Sequence, residues 1–114
     1  MNIKNHVQLV GRLGANPEVK VLESGRRLAR FQLAVNESYT KANGEKINKV
    51  QWHSIIAWGH LAGLAEKMLQ KGTQVTIDGR LFNQVFMNKA GEKRQSTEIV
   101  ANELFVVGLP ATKV

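Results

Sequence analysis

The apolar residues of this chain alternate at period two along most of its length and change to helical period only once. Val7, Leu9, Gly11 and Leu13 share one side of an extended segment from Ile3 to Leu13, and Ala29, Phe31, Leu33 and Val35 share one side of a second. A third extended run, Val50 to Trp58, is more apolar and closes at Gly59. The spacing then becomes i, i+3, i+4, i+7, i+8 at Leu61, Leu64, Ala65, Met68 and Leu69, the stripe of an amphipathic helix of about three turns. Lys67 and Lys71 complement the end of its dipole, and Gly72 is placed as its C′ residue. Alternation resumes at Val75, Ile77, Gly79 and Leu81, and the chain returns through Thr97, Ile99 and Ala101 toward Val107.

The joints carry turn chemistry. Gly14-Ala15-Asn16-Pro17 reads as a turn, and a short extended piece from Glu18 to Leu22 runs into a hairpin tip at Ser24-Gly25. Lys41 to Lys46 is polar and contains Gly44, and Asn88-Lys89-Ala90-Gly91 closes the last hairpin. No repeat, linker or low-complexity tract divides the chain. Its 114 residues form one domain over residues 1–109, with a short C-terminal remnant at 110–114. Three long strands, one helix, then two strands is the element order of the OB-fold, a five-stranded, mainly β Greek-key barrel with its helix between strands 3 and 4. The structural alternative is an α+β sandwich with the helix on an open sheet.

Charge narrows the partner. Sixteen Lys and Arg against nine Asp and Glu give a net +7, which favours polyanions: nucleic acid, an anionic membrane surface or a heparin-like polymer. The aromatics choose among these. Trp52 and Trp58 are an even number of residues apart on one strand, so both project from the same face with Ser54 and Ile56 between them. A single strand tryptophan is more often core than surface. Two on one face of a basic chain point instead to a platform on which bases stack, as sequence-tolerant single-strand binding requires. Tyr39 ends the second strand beside a basic loop, and Phe86 stands near a hairpin tip, where a buried residue is out of place. Phe31 and Phe105 fall in apolar registers and are expected in the core, while Phe82, beside Arg80, is ambiguous.

The cations Lys20, Arg26, Arg27, Arg30, Lys41, Lys46, Lys49, Arg80, Lys89, Lys93 and Arg94 gather around these elements and would neutralise phosphates. Taken singly, each reads as a solvated surface charge; the pattern is what counts. Catalysis finds no support. With no cysteine there is no thiol nucleophile or thiolate metal site, His6, His53 and His60 lack metal-ligand spacing, and the acids are scattered singly. Gly11-Arg12-Leu13-Gly14 lacks the rest of a phosphate loop. No cofactor, metal, signal peptide or membrane span is expected, and the lack of cysteine fits a cytoplasmic setting.

Several fragments in order resemble the bacterial single-stranded DNA-binding proteins over about Asn5 to Gly108. They are Val7-Gln8-Leu9-Val10-Gly11-Arg12-Leu13-Gly14-Ala15-Asn16-Pro17-Glu18-Val19, Gln51-Trp52-His53 with Ala57-Trp58-Gly59-His60-Leu61-Ala62, and Lys71-Gly72-Thr73-Gln74-Val75 through Asp78-Gly79-Arg80-Leu81. The resemblance implies an OB-fold, usually a homotetramer, that coats unpaired DNA in replication, recombination and repair, without sequence specificity, as a cytoplasmic, nucleoid-associated protein. By position, it puts the base-stacking aromatics on Tyr39, Trp52, Trp58 and Phe86 and an intersubunit histidine on His53. Lys20, Arg30, Lys41, Lys49, Lys71, Arg80 and Lys89 complete the expected nucleic-acid-binding set.

Tyr39 and Phe86 stand where many members carry Trp, so weaker stacking is expected there. Members typically continue into a Gly/Pro/Gln-rich linker and an acidic tip, whereas this sequence runs out at Leu109-Pro110-Ala111-Thr112-Lys113-Val114; partners recruited by that tip are not expected. A primosomal or RNA-binding OB module remains the alternative, and an accessory domain of an enzyme is a more distant one. The paired tryptophans argue against the primosomal variant.

Overall fold

The computed structural model describes residues 4–108. Its elements are β1 (Val7–Leu13), β2 (Glu18–Val21), β3 (Arg27–Thr40), β4 (Lys46–Trp58), α1 (His60–Met68), β5 (Gln74–Met87) and β6 (Lys93–Gly108). The strands run β1-β5-β6-β4-β3 and close into a barrel where β1 turns back onto β3 through Arg12↔Ala34 and Leu13↔Leu33. Pairing is antiparallel except between β4 and β6, which meet in parallel at Ile55↔Ile99 and Ile56↔Val100. The short extended piece expected after the first turn is β2, which lies on the outer edge of β3 rather than in the barrel wall. The helix therefore stands between the third and fourth barrel strands, and the five-stranded OB-fold expected from the pattern is what forms. The expected start of the first strand at Ile3 and the remnant at 110–114 lie outside the described residues.

The inward residues are those the alternation selects. Leu13, Phe31, Leu33, Ile55, Val75 and Ile77 fill the barrel together with Ala62 and Ala65 of α1. Alanines on the buried side of α1 let it sit close against the barrel, and both are fully buried. Among the described residues no helix is long and apolar enough to cross a membrane.

Two expectations are corrected. The helix ends at Met68, and Leu69 is already extended, so only Lys67 occupies the last turn; Lys71 and Gly72 lie beyond it. The reason is competition from the end of β1 and the turn that follows it. The Gly72 amide donates to the Leu13 carbonyl at 2.9 Å and the Lys71 amide to the Asn16 side-chain oxygen at 2.8 Å, which draws the chain out of helical geometry. Met68, assigned to the apolar stripe, is left exposed, and Ala62 takes its place in the core.

The second correction is Phe105, expected in the core and found 56% exposed. Asp78 pairs with Glu103 but Gly79 pairs with Ala101, so Asn102 is one residue more than β5 can match. This bulge inverts the alternation. Ile99 and Ala101 point inward before it, Leu104 points inward after it, and Phe105 turns outward opposite Thr76. Gly79 permits the bulge, because a β-carbon there would collide with the carbonyl of Val100.

Outside the barrel, β3 with β4 and β5 with β6 continue as two hairpin arms whose distal residues are mostly exposed. The radius of gyration is 16.2 Å, against about 13 Å for a compact domain of this length. Arms of this kind enlarge the surface of a small domain without enlarging its core.

Candidate nucleic-acid interface

One outer face of the barrel collects most of the candidate residues, and the strand register shows why. In β4, Trp58, Ile56, Ser54 and Trp52 share the side away from the barrel interior, opposite Leu28, Arg30, Gln32 and Ala34 of β3, with Ile56 and Leu28 themselves covered. In β5, Arg80, Phe82, Gln84 and Phe86 share that side with Val100, Glu98, Ser96 and Arg94 of β6. The parallel pair Ile56↔Val100 joins the two halves. Lys20 reaches the same face, because β2 sets it opposite Leu28. Trp52, Trp58, Phe86, Lys20, Arg30 and Arg80 are thus brought together. Shallow hollows run along this surface between Trp58 and Phe82 and beside Phe86, with Arg30, Gln84 and Glu98 common to both.

The rings are available to a ligand. Trp52 is 58% exposed and Phe86 45%. Trp58 is half-buried, with the Arg26 guanidinium 4.5 Å from its ring centre. Arg30 is committed in part to Glu98, with Nε 3.2 Å from the carboxylate, so one of the expected phosphate cations already carries an acidic partner.

The other candidates lie elsewhere. Tyr39 pairs with Ile47 on the reverse side of the β3–β4 arm, together with Lys49, whose Nζ is 5.8 Å from its ring centre. Lys41 caps that arm in its turn, 3.9 Å from the Glu45 carboxylate. Lys89 is in the turn at the tip of the β5–β6 arm, and Lys71 in the turn after α1. His53 pairs with Leu33 and is half-buried on the side away from the tryptophans. Among the described residues no cluster of His, Asp and Glu could hold a metal ion.

Two members of the face were named by sequence reasoning but not assigned to it. Phe82 belongs with Phe86 and Arg80, a parity that the even spacing 80, 82, 86 already carried. Arg26 precedes β3 by one residue and shares the parity of Leu28, the register partner of Trp58, so it meets that ring through a β3–β4 register that no local pattern reveals.

Gly14 positions Trp52. A β-carbon at residue 14 would lie 2.5 Å from Cζ3 and 2.8 Å from Cη2 of the indole, so the ring rests against bare backbone in the β1–β2 turn. Gly14→Ala is expected to push the ring out of this seat and to weaken oligo(dT) binding about three- to tenfold, a fraction of one base–aromatic stack. Circular dichroism should show the fold retained, and the shift in Trp emission of the free protein reports the displaced ring.

Comparison with known proteins identifies the family and the fold. The model of the single-strand binding protein family matches residues 4–107. The chain is 39% identical over 105 residues to the single-stranded DNA-binding protein 1 of Chlorobaculum tepidum, covering 91% of this chain and 65% of that protein. It is 36% identical over 104 residues to the single-stranded DNA-binding protein of Neisseria meningitidis serogroup B, covering 91% and 60% respectively. The chain therefore spans under two thirds of the length of these curated relatives. Among solved structures it resembles the Plasmodium falciparum SSB in complex with ssDNA, with a TM-score of 0.81 and 33% identity over 96% of this chain and 99% of that one.

Proposed function

This chain belongs to the single-strand binding protein family, and from that premise we propose that it binds unpaired DNA without catalysis and with little regard to sequence. The observation that carries this is the shared outward register of Trp52, Trp58, Phe82 and Phe86 with Lys20, Arg30 and Arg80. Every base has a face to stack, and each phosphate can be met by a cation, so affinity needs no base-edge contacts. Tyr39, with Lys41 and Lys49, and Lys89 at the other tip extend contact along the arms, while Lys71 lies beside the turn that seats Trp52. The solved ssDNA complex of the Plasmodium falciparum relative supports the same ligand here. Residues 1–109 act as one binding unit, in the cytoplasm, on strands exposed by replication, recombination and repair. Anisotropy of a labelled oligo(dT) against a labelled duplex tests it: tight, salt-sensitive binding of the single strand alone is expected, and equal binding of both would contradict it.

The assembly we propose is a homotetramer. Val10 and Phe105 flank Thr76 on the outer face of β1, β5 and β6, and are 50% and 56% exposed, with Val107 equally open at 56%. An apolar surface of this kind on a small domain is suited to another copy of the chain. His53, half-buried away from the tryptophans, is reserved for a subunit contact. Phe105→Lys is expected to shift the mass in sedimentation toward dimer or monomer at micromolar concentration. An unchanged tetramer would place the interface elsewhere.

A further inference from the structure

We propose that Arg26 is an exchangeable cap on Trp58: in the free protein its guanidinium covers the indole, and on binding it yields the ring to a base and moves to the neighbouring phosphate. This rests on the single-strand-binding reading and adds to it a residue with two successive partners.

The geometry supplies both. The Arg26 carbon Cζ stands 4.5 Å from the Trp58 ring centre, a stacking distance for a planar guanidinium. Arg27, the next residue, is bound to Glu66 at 3.4 Å, whereas no carboxylate of a described residue lies within ion-pair distance of Arg26. Among the described residues its guanidinium rests on the indole alone. A cation resting on a partly exposed ring is held more weakly than a base stacked on the same ring, so the base displaces it. Arg26 also lines the groove between the β2–β3 hairpin tip and the start of α1, which is within its reach once displaced. That groove carries Arg27 and Lys67 beside the single acid Glu66. A phosphate following the base on Trp58 would enter a cationic recess, and Arg26 is the one cation of the recess that stacking sets free.

Such a residue has a signature that neither a plain phosphate contact nor a plain obstruction shares. Its removal bares the ring, which favours binding at every salt concentration, and deletes one phosphate contact, which disfavours binding chiefly at low salt. The test titrates Trp58 fluorescence with a short oligo(dT), from about 50 mM to about 1 M salt, in a Trp52→Phe background where Trp58 is the sole tryptophan. Arg26→Ala is expected to lower the slope of log affinity against log salt by about 0.7, the share of one single-strand phosphate. It should bind roughly two- to fivefold tighter than its parent at the high-salt end, where the loss of the cap dominates, and correspondingly weaker at the low-salt end. The two lines cross. Arg26→Lys keeps the charge but not the planar stack, and should keep the parental slope.

Parallel lines for Arg26→Ala would overturn the phosphate role, and weaker binding at all salt concentrations would overturn the cap. Either result, with the parent still binding oligo(dT), leaves single-strand binding intact and rejects the exchange alone. Failure of the unsubstituted chain, with both tryptophans in place, to bind oligo(dT) rejects both.

Discussion

Replacing Trp52 and Phe86 together by alanine is expected to weaken binding of a short oligo(dT) by about a hundredfold or more, with little change in melting temperature. Each base stacked on an aromatic side chain is worth about 1–3 kcal/mol by alanine substitution, and the two rings lie on different strands, so their losses add. Both rings are roughly half exposed in the free protein, Trp52 at 58% and Phe86 at 45%, so truncation opens no cavity in the core. The contrast between lost affinity and preserved stability is the point of the experiment. If these rings were structural, the same substitutions would lower the melting temperature and leave residual binding in proportion to the folded fraction. Trp58 does not offer so clean a test, because it is half-buried and its removal would disturb the hollow it shares with Phe82.

The complementary expectation concerns the barrel. Leu33 is fully buried, pairs with Leu13 where β1 closes onto β3, and pairs with His53 across β4. Leu33→Ala removes buried methyl groups at the seam where β1 closes onto β3. It should cost about 2–5 kcal/mol in urea unfolding, a large part of the roughly 5–15 kcal/mol that a domain of this kind possesses. Comparison at one fixed protein concentration is essential, because association stabilises the folded chain. At low temperature the folded fraction should still bind oligo(dT) with nearly the parental affinity, since Leu33 points away from the tryptophan face. A small stability loss would mean that the barrel is not closed through this pair.

How much of this was legible in the sequence depends on how far each inference had to reach. The element order was legible because it rests on period: one helical interval among alternating segments is the OB order, though period alone also admitted a sandwich, and Leu13, Phe31, Leu33, Ile55 and Ile77 are all buried as that alternation requires. The pairing of Trp52 with Trp58 was legible because it stays within one strand, where parity decides the face. Phe105 was misread because parity was carried across residue 102, and a bulge depends on the partner strand, not on the strand that contains it. The helix was read too long because Gly72 and Lys71 had the end of β1 and the turn that follows it as competitors that local signals do not show. Tyr39 was named correctly as an aromatic at the end of a strand, but only the register of β3 on β4 places it on the reverse side of the arm from Trp52. The contacts Arg26–Trp58, Arg30–Glu98 and Gly14–Trp52 each join separate elements, and none has a sequence signature.

These contacts matter because they tune a surface whose composition is otherwise generic. A basic domain with exposed rings has affinity for any polyanion through its charge alone. What separates single strands from duplex is access to the base faces, which a duplex keeps stacked inside itself. The seat under Trp52, the cap over Trp58 and the carboxylate beside Arg30 all act on that access or on the cations around it.

The most direct measurement is therefore the intrinsic tryptophan fluorescence of the chain during titration with oligo(dT), repeated with a duplex of matched length and at several salt concentrations. Strong quenching by the single strand, absent with the duplex and moving to higher concentration as salt rises, is the predicted result; it would put bases against Trp52 and Trp58. No quenching, or the same response to single strand and duplex, would contradict it and reduce the basic face to a nonspecific polyanion surface.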